Sequence, residues 1–163
     1  MSGIHQKFES ENDRNNERMI AAILESEWDV RFRKLPVHLR VDYAVLHKYT
    51  EDVTGFAEFK RRTYVKFGDF ANMRISLSKL QAAKLVMETT GKPFMLVIQF
   101  TDSIRYAIFR RASDMPFLSN VVWGGRNAMR VPDDEEVMVE IPISIFKEVT
   151  GGNKDLQDWC PTR

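Results

Sequence analysis

Residues 41–60 read VDYAVLHKYTEDVTGFAEFK, and this stretch decides the fold. Two runs rich in β-branched and aromatic residues, 41–49 and 55–67, flank the polar triplet Thr50-Glu51-Asp52, a pattern that predicts a β-hairpin. Glu58 and Lys60 are two residues apart on the second strand, so both side chains leave the same face. Asp42 lies on the first strand, where the hairpin can bring its carboxylate beside that of Glu58. The neighbours Val41, Phe56 and Phe59 are apolar, so these charges fall in strands that otherwise read as buried. Two carboxylates buried together are costly unless a cation neutralises them. A divalent ion together with the Lys60 ammonium would do so, and oxygen donors of this kind favour Mg²⁺ over zinc. A cross-strand salt bridge among Asp42, Glu58 and Lys60 at a sheet edge accounts for the same spacing. From the residues alone both readings stand.

Upstream, residues 15–28 predict a helix, because Ile20, Ile23, Leu24 and Trp28 recur at three- and four-residue steps behind an Asn15-Asn16 cap. Residues 29–36 read as a basic connector. Downstream, residues 78–90 read as a second helix stopped by Gly91 and Pro93. The apolar run 94–100 suits a buried central strand, and 104–109 should pair with it across Thr101-Asp102-Ser103. In the tail, 121–123 and 128–131 flank a Gly124-Gly125 turn, 137–143 alternates like a strand, and 144–149 reads as a short helix. The order predicts an α/β or α+β sheet domain covered by helices.

The chain has 163 residues, about one domain at roughly 100–200 residues each. It is 44% hydrophobic and 11% aromatic, enough for one core, which argues against wholesale disorder. Its longest apolar run, Phe94 to Ile98, falls far short of the roughly 20 residues that span a bilayer. The charged N-terminal residues do not resemble a secretory signal, and Cys160 is the single cysteine, so no intrachain disulfide can form. The expectation is a soluble cytoplasmic protein with no membrane partner. No phosphate-binding glycine loop or nucleophile elbow occurs, and His5, His38 and His47 lack metal-ligand spacing. Residues 31–84 hold 12 basic and 5 acidic groups between acidic ends, a distribution suited to a polyanion or to an ordinary solvated surface.

Val41-Asp42-Tyr43 followed by Glu58-Phe59-Lys60, with 15 residues between the two acids, resembles the signature of the PD-(D/E)XK nuclease superfamily. The element order agrees: a helix before the motif, Ser78-Lys79-Leu80-Gln81 opening the next helix, and an apolar strand after Gly91-Lys92-Pro93. This order is similar to archaeal-type Holliday junction resolvases and virus-type replication-repair nucleases. The resemblance covers about residues 15–110 of a single domain spanning 1–163, with the tail 112–163 unassigned. Val41 replaces the family's proline, which removes no metal ligand.

The resemblance implies an α/β restriction-endonuclease-like core, a central mixed β-sheet flanked by helices. It implies an Mg²⁺-dependent (or Mn²⁺-dependent) endonuclease acting on DNA, including branched or junction DNA, and working as a homodimer where two strands are cut. Asp42, Glu58 and the Phe59 carbonyl would hold the metal, and Lys60 would position the attacking water or stabilise the transition state. Glu17, on the stripe of Ile20, Leu24 and Trp28, matches a first-helix glutamate that reaches the metal site; plain helix-dipole electrostatics is its other reading. Gln81 matches a glutamine near the site, but Ser78-x-x-Gln81 also satisfies a capping box. Arg33, Lys34 and Arg40 ahead of Asp42, Arg61, Arg62 and Lys66 after Glu58, and Lys79 on the next helix are the candidate nucleic-acid contacts. The acidic run Asp133 to Glu136 is expected to lie away from them. A restriction or nicking endonuclease shares this core, and a non-catalytic nucleic-acid-binding or assembly module could retain it.

Overall fold

Side-chain alternation along the hairpin generates two apolar layers on opposite faces of one sheet. The computed structural model describes residues 11–62, 64–115, 120–125 and 135–149. In chain order, α1 (Glu11–Glu27) is followed by β1 (Val30–Lys34), a 3₁₀ turn (Val37–Leu39), β2 (Tyr43–His47) and β3 (Val53–Arg62). Then come β4 (Asn72–Ser76), α2 (Leu77–Thr90), β5 (Phe94–Phe100) and β6 (Ile104–Phe109). The described part of the tail holds β7 (Val121–Gly125), β8 (Glu135–Pro142), a 3₁₀ turn (Ile143–Ile145) and β9 (Lys147–Glu148).

The main sheet has the order β1-β2-β3-β5-β6-β9 and is mixed: β3 and β5 are parallel, and every other pair is antiparallel. Parallel neighbours need a long crossover, which β4 and α2 supply. On one face Ile20 and Leu24 of α1, with Trp28 just after it, pack against Val30, Tyr43, Val45, Ala57, Phe59 and Met95. On the other face α2 packs Leu80, Ala83 and Met87 over Leu96 and Ile98, with Val139 and Ile141 of β8 beside them. Because Ala57 and Phe59 face α1, Glu58 and Lys60 must face α2. The fold is therefore α/β, a mixed central sheet flanked by two helices, as in restriction endonucleases.

The structure departs from the sequence reading at several elements. The basic connector 29–36 contains β1, whose Arg31, Arg33 and Lys34 are tolerated because it is an edge strand. Asn15 and Asn16 lie inside α1 rather than capping it. Gly124-Gly125 belongs to β7 and makes no turn; a Cβ on Gly124 would come within 2.8 Å of Met138 Cγ, so strand packing needs a small residue there. The partner strand expected at 128–131 lies outside the described residues. The helix expected at 144–149 is a 3₁₀ turn and β9, whose backbone pairs with the edge of β6. β4 escaped the reading altogether, yet it pairs with β8, which pairs with β7, giving the tail a second sheet.

Candidate active site

The β2–β3 register sets the geometry. Tyr43 pairs with Ala57, so one step further along the hairpin Asp42 stands opposite Glu58. A bulge at Thr54 absorbs a one-residue slip near the turn, and the buried Thr54 hydroxyl donates to the Val45 carbonyl at 3.1 Å. β2 ends before it can pair with Phe59, and the Phe59 amide donates instead to Asp42 Oδ2 at 3.3 Å. A strand residue's N–H and C=O leave the same edge, so the Phe59 carbonyl also faces the Asp42 side.

Asp42 and Glu58 are 5% and 7% exposed, which makes their neutralisation the main physical question. The bridging cation is Lys79, from the first turn of α2. Its Nζ lies 3.2 Å from Asp42 Oδ1 and 2.8 Å from Glu58 Oε1. The ion pairs of both acids are to Lys79 rather than Lys60, so the cross-strand salt bridge among Asp42, Glu58 and Lys60, the alternative that the spacing also allowed, does not form. Burial, and then the charge of Arg62, pulls the Lys60 ammonium pKa down to about 8, with Glu58 and Glu136 opposing the shift.

Glu17 reaches this cluster. Its Oε2 accepts from Lys34 Nζ at 2.7 Å and from the Tyr43 hydroxyl at 3.2 Å, and Lys34 Nζ lies 3.9 Å from Asp42 Oδ1. Burial, followed by the Glu17 charge, raises the Tyr43 phenol well above its ordinary range. Glu17 is the seventh residue of α1, beyond the first turn where the helix dipole is felt, so the site accounts for it better than the dipole does.

A divalent cation fits this donor set. Among the described residues no group of three His, Cys, Asp or Glu side chains could hold a metal. Two carboxylates and one carbonyl are nevertheless the partial set that suits Mg²⁺, which is held by one or two carboxylates and otherwise by water and phosphate. The gap between the two acids already attracts a cation, the Lys79 ammonium.

The remaining candidates scatter. Gln81 is exposed, and the expected capping box is absent: α2 starts at Leu77, and the Ser76 hydroxyl before it contacts Ser78 Oγ at 2.8 Å and donates to Glu136 Oε2 at 2.7 Å. The carboxylate of Glu136 thus lies beside the start of α2 and close enough to influence Lys60, not away from the site as expected. Asp133 and Asp134 are outside the described residues. Lys34 and Lys79, expected on phosphates, have their ammonium groups on carboxylates. Arg33 pairs with Glu51 at 3.1 Å beside Arg31, and the two arginines hold the Glu51 carboxyl below its usual range. Arg62 shares the strand face of Glu58 and Lys60, whereas Arg61 leaves the opposite face. Lys66 is exposed on the loop after β3. Arg40, also exposed, has a left-handed backbone (φ 59°) two residues before Asp42. Sequence reasoning missed the bridging role of Lys79 and the Ser76–Glu136 contact.

Among the described residues no helix is long and apolar enough to cross a membrane. No curated protein matches the chain. The family model described as "Phage putative PDDEXK endonuclease" matches residues 3–149, and with that share of its length covered the chain belongs to this family of PD-(D/E)XK nucleases.

Proposed function

We propose that the protein is a divalent-metal-dependent endonuclease that hydrolyses phosphodiester bonds in DNA, with branched or junction DNA of recombination, repair or phage genome processing as the substrate class. The observation that carries this reading is the buried pair Asp42–Glu58, set opposite each other by the hairpin register with Lys60 on the same face. Asp42, Glu58 and the Phe59 carbonyl would hold Mg²⁺ or Mn²⁺. Such an ion makes bound water a better nucleophile and offsets charge on the phosphate oxygens.

The chain's own groups do the rest. Phe59 N–H fixes the Asp42 carboxylate through Oδ2. Glu17 draws Lys34 toward itself, which keeps that ammonium 3.9 Å from Asp42 rather than in closer contact. Lys60, a cation at neutral pH, would orient the attacking water or stabilise charge on the phosphate. Arg62 continues that face along β3 and Lys66 follows on the loop beyond it, a track for the sugar-phosphate backbone, with Arg61 on the opposite face of the same strand end as a further phosphate contact. Cutting two strands of a junction calls for two such sites, which a homodimer would supply.

The test is cleavage of labelled branched, linear and single-stranded DNA with and without Mg²⁺. Metal-dependent cutting that favours branched substrates supports the whole reading. Equal cutting of all three removes the junction preference, and no cutting in any metal removes the activity.

A further inference from the structure

We infer that the Lys79 ammonium is the internal counter-ion of the metal-free site, and that a divalent ion enters only by displacing it. The inference rests on the metal-dependent reading above. The Lys79 ammonium touches both carboxylates, at 3.2 Å from Asp42 and 2.8 Å from Glu58. Mg²⁺ contacts its oxygens at about 2.0–2.1 Å. An ion bound to an oxygen of each acid would therefore fall in the gap the ammonium now fills. The two cations exclude each other there.

Charge and burial say which cation holds the gap without metal. Asp42 and Glu58 are almost fully buried and the Lys79 side chain is 15% exposed, so removing the ammonium that touches both would leave two like charges out of water, with Lys34 at 3.9 Å from Asp42 already engaged by Glu17. With Lys79 in place, the carboxylates of Asp42, Glu58 and Glu17 are matched in number by the ammonium groups of Lys79, Lys34 and Lys60. Adding a divalent ion to these six groups leaves an excess of two positive charges, and the ammonium that occupies the gap sits on a flexible four-carbon stem and can move. Lys79 can leave the carboxylates without moving α2. The anion it would next meet is the scissile phosphate. Metal and nucleic acid should therefore assist each other's binding, since the phosphate takes up the charge that the metal displaces.

The experiment titrates Mn²⁺ calorimetrically into the full chain without nucleic acid, in neutral buffer that leaves Lys60 charged. Wild type is compared with Lys79→Met and Lys79→Arg, and thermal melting is followed with and without Mn²⁺. Lys79→Met should bind Mn²⁺ at least about tenfold more tightly, because the competing occupant is gone. Its metal-free melting temperature should fall, and saturating Mn²⁺ should close much of that gap. Lys79→Arg keeps a cation in the gap and should bind no more tightly than wild type.

Equal or weaker Mn²⁺ binding by Lys79→Met would overturn the displacement. Absence of binding by wild type and both variants would instead overturn the metal-dependent reading. Should Lys79→Met fail to fold, the wild-type Lys79 side-chain ammonium can be followed by NMR during a Mg²⁺ titration. Its signal should shift or vanish as the ion binds, and an unchanged signal at saturation overturns the inference.

Discussion

Replacing Glu17 with glutamine separates a residue that serves the site from one that serves only its helix. Glu17 accepts from Lys34 at 2.7 Å and from the Tyr43 hydroxyl at 3.2 Å, with side chains of Glu17 and Lys34 that are 17% and 35% exposed. A hydrogen bond to a charged group contributes roughly 1.5–3 kcal/mol, and solvent screening at the partly open Lys34 reduces this to about 1 kcal/mol. For a chain of this size, Glu17→Gln should lower the melting temperature by roughly 2–4 °C. A double-mutant cycle with Lys34→Met, read by urea denaturation, should return a coupling energy of about 1 kcal/mol. The same substitution frees Lys34 to close on Asp42, which lies 3.9 Å away. Cleavage should then slow by about tenfold or more, the usual scale for a group that orients a metal ligand. A coupling energy near zero, or a normal cleavage rate in a variant that melts early, would refute the bridge from Glu17 to the site.

Arg40→Gly should stabilise the protein by up to about 1 kcal/mol in urea denaturation, because a left-handed backbone costs a non-glycine residue roughly 1–2 kcal/mol and glycine's extra unfolded freedom returns part of that. A loss of stability would show that the Arg40 side chain makes a contribution larger than its strain. The double variant Arg61→Ala/Arg62→Ala should weaken DNA binding for all sequences in Ca²⁺. It should also flatten the log–log salt dependence by roughly 0.9 for each phosphate the two arginines neutralise, and an unchanged slope would place the DNA elsewhere. Leu24→Ala, at a fully buried position against the β2–β3 hairpin, should cost about 2–5 kcal/mol in the same denaturation assay, and a cost below about 1 kcal/mol would mean that α1 is not held by this core.

Much of the site was legible because strands repeat every two residues. The alternation of Phe56, Glu58 and Lys60 against Ala57 and Phe59 places the acid and the lysine on one face, and the hairpin then brings Asp42 to Glu58. The helical stripe running from Glu17 through Ile20 to Leu24 likewise pointed that carboxylate toward the sheet. Contacts that depend on how separate elements pack left no local signal. Lys79 reads as a surface cation near a helix start, and only the docking of α2 carries it to acids 37 and 21 residues away. The Ser76–Glu136 bond spans 60 residues and joins two strands of a sheet that the sequence did not disclose. β1 was hidden by its own charges, which an edge strand can carry into solvent and a central strand cannot.

The most direct test of the central claim is single-turnover cleavage of a labelled DNA junction by the wild type and by Asp42→Ala, each in Mg²⁺ and in EDTA, with circular dichroism to confirm that the variant is folded. The wild type should cut in Mg²⁺ alone, and folded Asp42→Ala should cut in neither condition. Cleavage that persists in EDTA, or in folded Asp42→Ala, would contradict a metal-dependent site built on this residue.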